Sequence, residues 1–547
     1  MVHGRGTLSV DYDYIIIGAG SAGCVMANRL SADARNRVLL IEAGRPNTHL
    51  YVNMPTGYGK AVGDPRFDWI FSSGPEPELG GRMINTARGK VIGGSSSINA
   101  MAYVRGHAAD FDHWRQLGNV GWGWDDVRRT YQRIEDYDEA KGEDRFRGGM
   151  MPVRRAHSIH PMSYKLIEAS VQAGLPATDD YNLPDPDGLA VAQINAADGL
   201  RASAAASYLA PARGRKNLKV ITDAEARRIL FTGKRATGVE FERHGRIETV
   251  KARGEVIISA SSINSPKLLE LSGVGQGERL RQLGVEVLCD LPGVGENLQD
   301  HYFVGARLTL KGVNSLNQEM RLPRLALHAA QYGILRSGLL ASTLSQVMGY
   351  AKVLPGSASG DIQFIGSPTT MRAKSRGTSK EMRVELEETP GVGLGCYVCR
   401  PESRGRSHAI SPDPKVYSSI VNNYLSTDYD RRVLIEGVRL CRRILEQPAF
   451  DGIRAGPPLP APEVQTDEQM LDYLRMAGGS AQHQVGTCKM GSDPMAVVDD
   501  RLRVRGVEGL RVIDSSIMPT VVSANTHAST VVIAERGSEF VLDKALA

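Results

Sequence analysis

Short apolar runs and helical spacings alternate at the start of the chain. Asp11–Ile17 and Arg37–Ile41 are almost continuously hydrophobic, as expected of parallel strands buried on both faces. Between them, Ser21–Ser31 places Val25, Met26 and Leu30 on one helical face. The pattern predicts strand, turn, helix, strand. A second helix is expected from Ser265-Pro266 to Ser272-Gly273, and a third from about Ser529, with Ala528 or Ser529 near its N-cap. From about 305 to 465 the rhythm changes. Helical spacing over Leu322–Leu335 mixes with strand-like Val392–Cys399, and the charge-dense Thr369–Glu388 and Pro-rich Gly456–Pro462 read as loops. This region reads as a second domain inserted into the first.

Composition narrows the class. Apolar residues are 41% and charged residues 23% of 547, which is ordinary globular usage and excludes disordered, collagen-like and coiled-coil chains. The net charge of +5 comes with no Lys/Arg run, so nothing points to nucleic acid. No apolar run reaches the roughly 18 residues that span a bilayer. Met1–Tyr12 lacks the apolar core of a signal peptide, so a cytoplasmic enzyme is expected. Cys396 and Cys399 form a CxxC, but no second pair completes a zinc site, and both read as members of a buried strand; no metal is expected.

Glycines cluster at 18–23, 89–94, 273–275, 293–295 and 478–491, where a backbone turns sharply or meets a ligand. The first cluster, Gly18-Ala19-Gly20-Ser21-Ala22-Gly23, sits between strand and helix, and Glu42 ends the next strand. Gly18 permits the turn, Gly20 the approach of a pyrophosphate and Gly23 close helix–strand packing. The phosphates would face the helix N-terminus, and Glu42 would accept ribose hydroxyls. This predicts a dinucleotide site; the motif alone does not separate FAD from NAD.

Arg88-Gly89-Lys90-Val91-Ile92-Gly93-Gly94-Ser95-Ser96-Ser97-Ile98-Asn99 makes a loop rich in exposed N–H and hydroxyl donors, and Ser261–Gly275 forms another Gly/Ser-bounded segment. With Pro292–His301, His483–Gly491 and Val512–Pro519, these segments resemble the glucose–methanol–choline (GMC) oxidoreductase family over nearly the whole chain, with the choline dehydrogenase and bacterial alcohol dehydrogenase branch most similar. The resemblance implies an α/β fold. An FAD-binding, Rossmann-like, doubly wound domain would comprise 10–158, 200–306 and 465–547, and an α+β substrate-binding domain with a mostly antiparallel sheet 159–199 and 307–464. Ile98 stands where some relatives carry the His that attaches flavin covalently, so non-covalent FAD is implied. The implied cofactor contacts are Gly18, Gly20, Ser21, Ala22, Gly23, Glu42, Ala43, Arg88, Gly89, Gly93, Gly94, Ser95, Asn99, Ala100, Ala224, Ala260, Asp514, His527, Ala528 and Ser529.

Flavin-dependent alcohol oxidation needs a base for the hydroxyl proton while a hydride leaves carbon for flavin N5, and histidine titrates near working pH. Of 12 histidines, His483 matches the family's base and His527 its second active-site position, where it would hold the substrate oxygen. His301 reads as structural or as a domain-junction residue. The chain departs from common family patterns: Gln482-His483-Gln484 replaces Tyr-His-Pro, and His527-Ala528-Ser529-Thr530 replaces Asn-Ala-Pro-Thr. The expected function is oxidation of an uncharged primary alcohol, a small molecule, with oxygen, a quinone or a cytochrome as electron acceptor and an oligomer allowed. The alternative is a flavin-containing lyase resembling hydroxynitrile lyases. A pyridine-nucleotide reductase would need a second GxGxxG, which the chain lacks.

Overall fold

The computed structural model describes residues 6–7, 11–184, 186–375 and 382–542. Its largest sheet has eight strands. Six are parallel: the short Gly6–Thr7 pairs with Glu248 and Thr249, and five lie in the order Leu218–Ile221, Val38–Ile41, Tyr12–Ile17, the C-terminal part of Arg246–Ile258, and Leu510–Val512. Their register is a single row: Ile221, Ile41, Ile17, Ile258 and Val512 are successive partners across the sheet. The residues just beyond that row (Gly18, Glu42, Ser259 and Asp514) therefore converge at one edge, the carboxyl end where open α/β sheets bind ligands. Ala224–Thr232 and Arg235–Arg243 extend the same sheet antiparallel, along the first half of Arg246–Ile258.

The helix Ser21–Leu30 packs between this sheet and the C-terminal helix His527–Val541, and Arg29 joins Glu535 across that contact at 2.7 Å. Chain start and chain end thus share one core. The expected opening of a helix at Ser265-Pro266 is corrected: the helix is Ser261–Leu271, with Pro266 inside it. Proline leaves the carbonyl four residues back without its helical donor. Here that carbonyl, of Ser262, accepts instead from the Thr487 hydroxyl at 2.7 Å.

A second sheet is five-stranded and antiparallel, in the order Val347–Ala351, Ile362–Ser367, Gly391–Val398, Tyr302–Thr309, Gly479–Ser480. The helix Asp428–Leu445 covers it, burying Val433, Leu434, Val438, Cys441 and Ile444 in a separate core. Cys396 lies within Gly391–Val398 and Cys399 directly follows it; both are buried and free. The expected helix Leu322–Leu335 begins at Arg324, after Pro323. The charge-dense stretch expected as a loop contains the paired strands Met371–Ser375 and Met382–Leu386.

Candidate active site

A cavity of ≈ 420 Å³ runs from the carboxyl edge of the large sheet to the antiparallel sheet. Of the residues expected to hold the cofactor, Gly18, Gly20, Ser21, Ala22, Glu42, Ala43, Arg88, Gly89, Gly94, Ser95, Asn99, Ala100, Ala224, Ala260, Asp514 and His527 line it. Gly23, Gly93, Ala528 and Ser529 do not. Gly23 is behind the wall: a Cβ there would lie 1.8 Å from the Gly18 carbonyl oxygen, so its absence lets the first helix close onto its own turn. Gly93 donates its N–H to the Ala19 carbonyl at 2.7 Å and fastens the two glycine loops together. The expected N-cap at Ala528 or Ser529 is corrected to Thr526, with His527 the first helical residue; Ala528 and Ser529 are buried inside the turn.

The sheet end of the cavity is built from backbone. Gly94 has φ +53°, and a Cβ on it would stand 2.7 Å from the Gly20 Cα, so the two loops form a throat only bare backbone can make. Ser21 and Ala22 open the first helix, whose leading N–H groups lack helical acceptors and carry the positive end of the helix dipole. Glu42 is 5% exposed, and its oxygens accept from the N–H groups of Ala19 (2.7 Å) and Gly44 (2.8 Å). Burial raises its pKa to about 7, against the lowering effect of those two bonds. Bare backbone, unpaired N–H groups and an acceptor carboxylate at strand ends are the donor set that a pyrophosphate and a ribose require; the residues fit a dinucleotide.

The other end is built from side chains. His483 Nδ1 lies 2.9 Å from His301 Nδ1, and His483 Nε2 accepts from Asn525 Nδ2 at 3.0 Å. Asn525 Oδ1 accepts from Gln363 at 3.0 Å, and Gln363 Oε1 from the Tyr397 hydroxyl at 2.5 Å. His301 stacks on Tyr397 with centroids 4.2 Å apart and meets His483 edge-on at 5.1 Å. The His483 loop is held firmly. Gln482 has φ +69°, its Oε1 accepts from Ala87 N at 2.6 Å, and Asp300 accepts from His483 N at 2.7 Å. Burial pushes the His483 pKa well below the ordinary value, with His301 and Arg88 adding to the shift. The imidazole is therefore neutral at neutral pH.

His527 is not the partner of His483. Its Nδ1 lies 3.0 Å from Ser21 Oγ, at the N-terminus of the first helix. Burial, then Arg201, lowers its pKa to about 4. Sequence reasoning missed Asn525, two residues earlier, and left His301 as a junction residue. The signal for Asn525 was the helix start: a helix beginning at His527 leaves Asn525 in the preceding loop, free to reach across. His301 carried only a weak signal, its position just before an inserted-domain strand. Among the described residues, no cluster of His, Cys, Asp or Glu could hold a metal ion, and no helix is long and apolar enough to cross a membrane.

Two glycine loops on a parallel sheet, joined to an antiparallel sheet that presents a histidine, define a flavoprotein oxidoreductase architecture. The N-terminal GMC oxidoreductase family pattern matches residues 12–303 and the C-terminal one residues 401–534. The chain belongs to the GMC oxidoreductase family, and it is an FAD-dependent oxidoreductase acting on CH–OH donors. It is 42% identical to an oxygen-dependent choline dehydrogenase of Rhizobium rhizogenes over 97% of this chain and 96% of that one. It is 38% identical to one of Photobacterium profundum over 98% and 94%. Among solved structures, pyridoxine 4-oxidase from Mesorbium loti is 30% identical with a TM-score of 0.86, covering 97% of this chain and 99% of that one. Formate oxidase of Aspergillus oryzae RIB40, at 23% identity and TM-score 0.89 over 99% of both chains, shares the fold.

Proposed function

We propose that this protein oxidises an uncharged primary alcohol to the aldehyde, with His483 as the general base and Asn525 as the group that holds the substrate oxygen. The observation that carries this reading is the 3.0 Å contact between His483 Nε2 and Asn525 Nδ2 at the cavity wall. A hydroxyl entering between them would donate to the His483 lone pair and accept from the Asn525 amide. Removing the proton leaves negative charge on that oxygen, and the Asn525 N–H is already aimed at it. Gln363 fixes the orientation of the amide by binding its oxygen. When bound, FAD supplies the two-electron acceptor for the alcohol carbon.

Gly20, Ser21, Glu42 and Gly94 would hold the dinucleotide, with His527 beside Ser21 as a cofactor contact. Ile98, 2% exposed on the cavity wall, has no nucleophile to offer, which supports non-covalent FAD. The domain division 10–158, 200–306 and 465–547 against 159–199 and 307–464 is kept as a proposal with two refinements: Tyr302–Thr309 and Gly479–Ser480 are strands of the antiparallel sheet, and Met470 and Leu474 share its core, so the boundaries near 306 and 465 are better drawn before Tyr302 and after Ser480.

The choice of an uncharged alcohol rests on the wall near Asn525. Ile365 shares a strand face with Gln363, two residues away, and Ala100, Met101 and Ala102 continue the lining without charge. A quaternary ammonium needs a carboxylate or free aromatic faces. The lining aromatics are Tyr58, packed on the cluster of Leu316, Leu339 and Leu344, and Trp69, whose ring already carries Lys90 Nζ at 4.1 Å. The lining carboxylates are Glu42, Glu225 and Asp514. Glu42 and Asp514 stand at the sheet end, where Asp514 accepts from Ser261 N, Ser265 Oγ and Ser516 N, and Glu225 lies 3.9 Å from Lys90. Asp300, behind His483, accepts from Ser480, Tyr424, Gln484 and His483 N.

The test is anaerobic mixing of the purified yellow protein with primary alkanols, benzylic alcohols and choline. Neutral alcohols are expected to bleach the flavin and choline to leave it oxidised; faster bleaching by choline overturns the substrate assignment. Reoxidation of the bleached protein by oxygen, a quinone or a cytochrome identifies the acceptor.

A further inference from the structure

The hydrogen bonds around His483 form a chain with only one consistent placement of protons. His301 Nε2 lies 3.1 Å from the Cys399 carbonyl oxygen, which can only accept, so Nε2 carries the proton. Burial lowers the His301 pKa to about 4, so the ring is neutral and its Nδ1 is a lone pair. The 2.9 Å contact between the two Nδ1 atoms then requires the proton to sit on His483 Nδ1. With His483 also neutral, Nε2 is left bare, and Asn525 donates to it. Stacking against Tyr397 holds the His301 ring in the plane that makes both contacts. Asp300 accepts from the His483 backbone N–H rather than from its ring.

We propose that His301 is a positioning residue that fixes the tautomer of His483, so that the free nitrogen faces the cavity. The inference rests on the reading of His483 as the base. A neutral imidazole here takes the place that a carboxylate holds in hydrolase triads. It orients the base and accepts the Nδ1 hydrogen bond while the other nitrogen takes up the substrate proton. Because the Cys399 carbonyl accepts a hydrogen bond but cannot take up a proton, the chain ends at His301, and the proton gained by His483 travels no further than that ring. Cys399 acts through its backbone, which leaves the strand end Tyr397–Cys399 with a use that its thiol does not explain.

The decisive measurement is ¹⁵N NMR of histidine-labelled holoenzyme near neutral pH, with resonances assigned by His301→Asn and His483→Gln. The expected result is His483 protonated on Nδ1 and His301 on Nε2; His483 protonated on Nε2 overturns the proposal, and this needs no mutant to retain activity. Flavin reduction by a saturating alcohol gives a second arm. His301→Leu, which removes the acceptor, is expected to slow reduction about 100-fold, with little change in the alcohol concentration at half-saturation. His301→Asn, whose side-chain oxygen can accept from His483 Nδ1, is expected to recover about tenfold of that loss. Equal rates for His301→Leu and the wild type overturn the proposal. Normal reduction by His483→Ala would instead remove the base itself, so the two failures are separable.

Discussion

At the Gly20–Gly94 end of the cavity the wall is backbone, drawn from segments close to strand ends; at the His483 end it is side chains from five separated segments, carrying His301, Gln363, Tyr397, His483 and Asn525. The first end tolerates many side chains but no Cβ at its contact points. The second tolerates no change of hydrogen-bonding character, because each donor is matched to one acceptor. Binding the cofactor is therefore a problem of space, and activating the alcohol a problem of proton placement.

Breaking the backbone end gives the largest expected effect. Gly23→Val forces a Cβ onto the Gly18 carbonyl, and the purified protein should be colourless, with no flavin absorbance. Next comes the base. His483→Ala should keep its yellow colour and lose about 10²–10⁴ in the rate of flavin reduction. Asn525→Ala should lose about 10² in the same assay, by removing one donor to the developing oxyanion. His527→Ala sharpens the contrast: reduction by saturating alcohol should stay within about tenfold of wild type, while flavin is released more readily on dilution or in chaotrope. A His527→Ala protein as slow as His483→Ala would move the boundary between the two ends.

Two pH effects follow. Burial holds the His483 pKa well below 6.5, so the rate of flavin reduction should be flat from neutral pH down through 6.5, with any acid limb lying lower. The smallest effect concerns the junction between domains. His408 donates to Glu270 at 2.7 Å and to Glu296 at 2.9 Å. Burial alone would lower its pKa, but these two bonds outweigh it and the net shift is upward. The stabilisation is thus complete below the unfolded value of about 6.5 and is lost as pH rises through the higher folded value. Thermal melting should fall on the alkaline side in the wild type. In His408→Gln that part of the pH dependence should be absent.

The backbone end was legible because its parts are neighbours in the chain: Gly18, Gly20, Gly23 and Glu42 fall within one strand–helix–strand unit, and each spacing has a local steric meaning. The antiparallel sheet was legible only as a class. Asn525 was missed because histidine has the more conspicuous chemistry, so His527 drew the assignment. The two-residue difference between loop and first helical turn turns one side chain toward His483 and the other toward Ser21. His301 and His483 are 182 residues apart, and no local rhythm encodes their contact. Thr487 answering the carbonyl vacated by Pro266 is the same kind of fact, a backbone defect repaired from a distant loop.

The pairing of the chain's first helix with its last has a consequence for biosynthesis. Arg29 and Glu535 meet across that contact, and His527 completes the wall opened by Ser21. A ribosome-bound polypeptide that has emerged only as far as residue 480 possesses the glycine turns but lacks His483, Asp514, Asn525 and His527. Coenzyme loading into a finished pocket is in this way deferred until the segment through His527 has emerged.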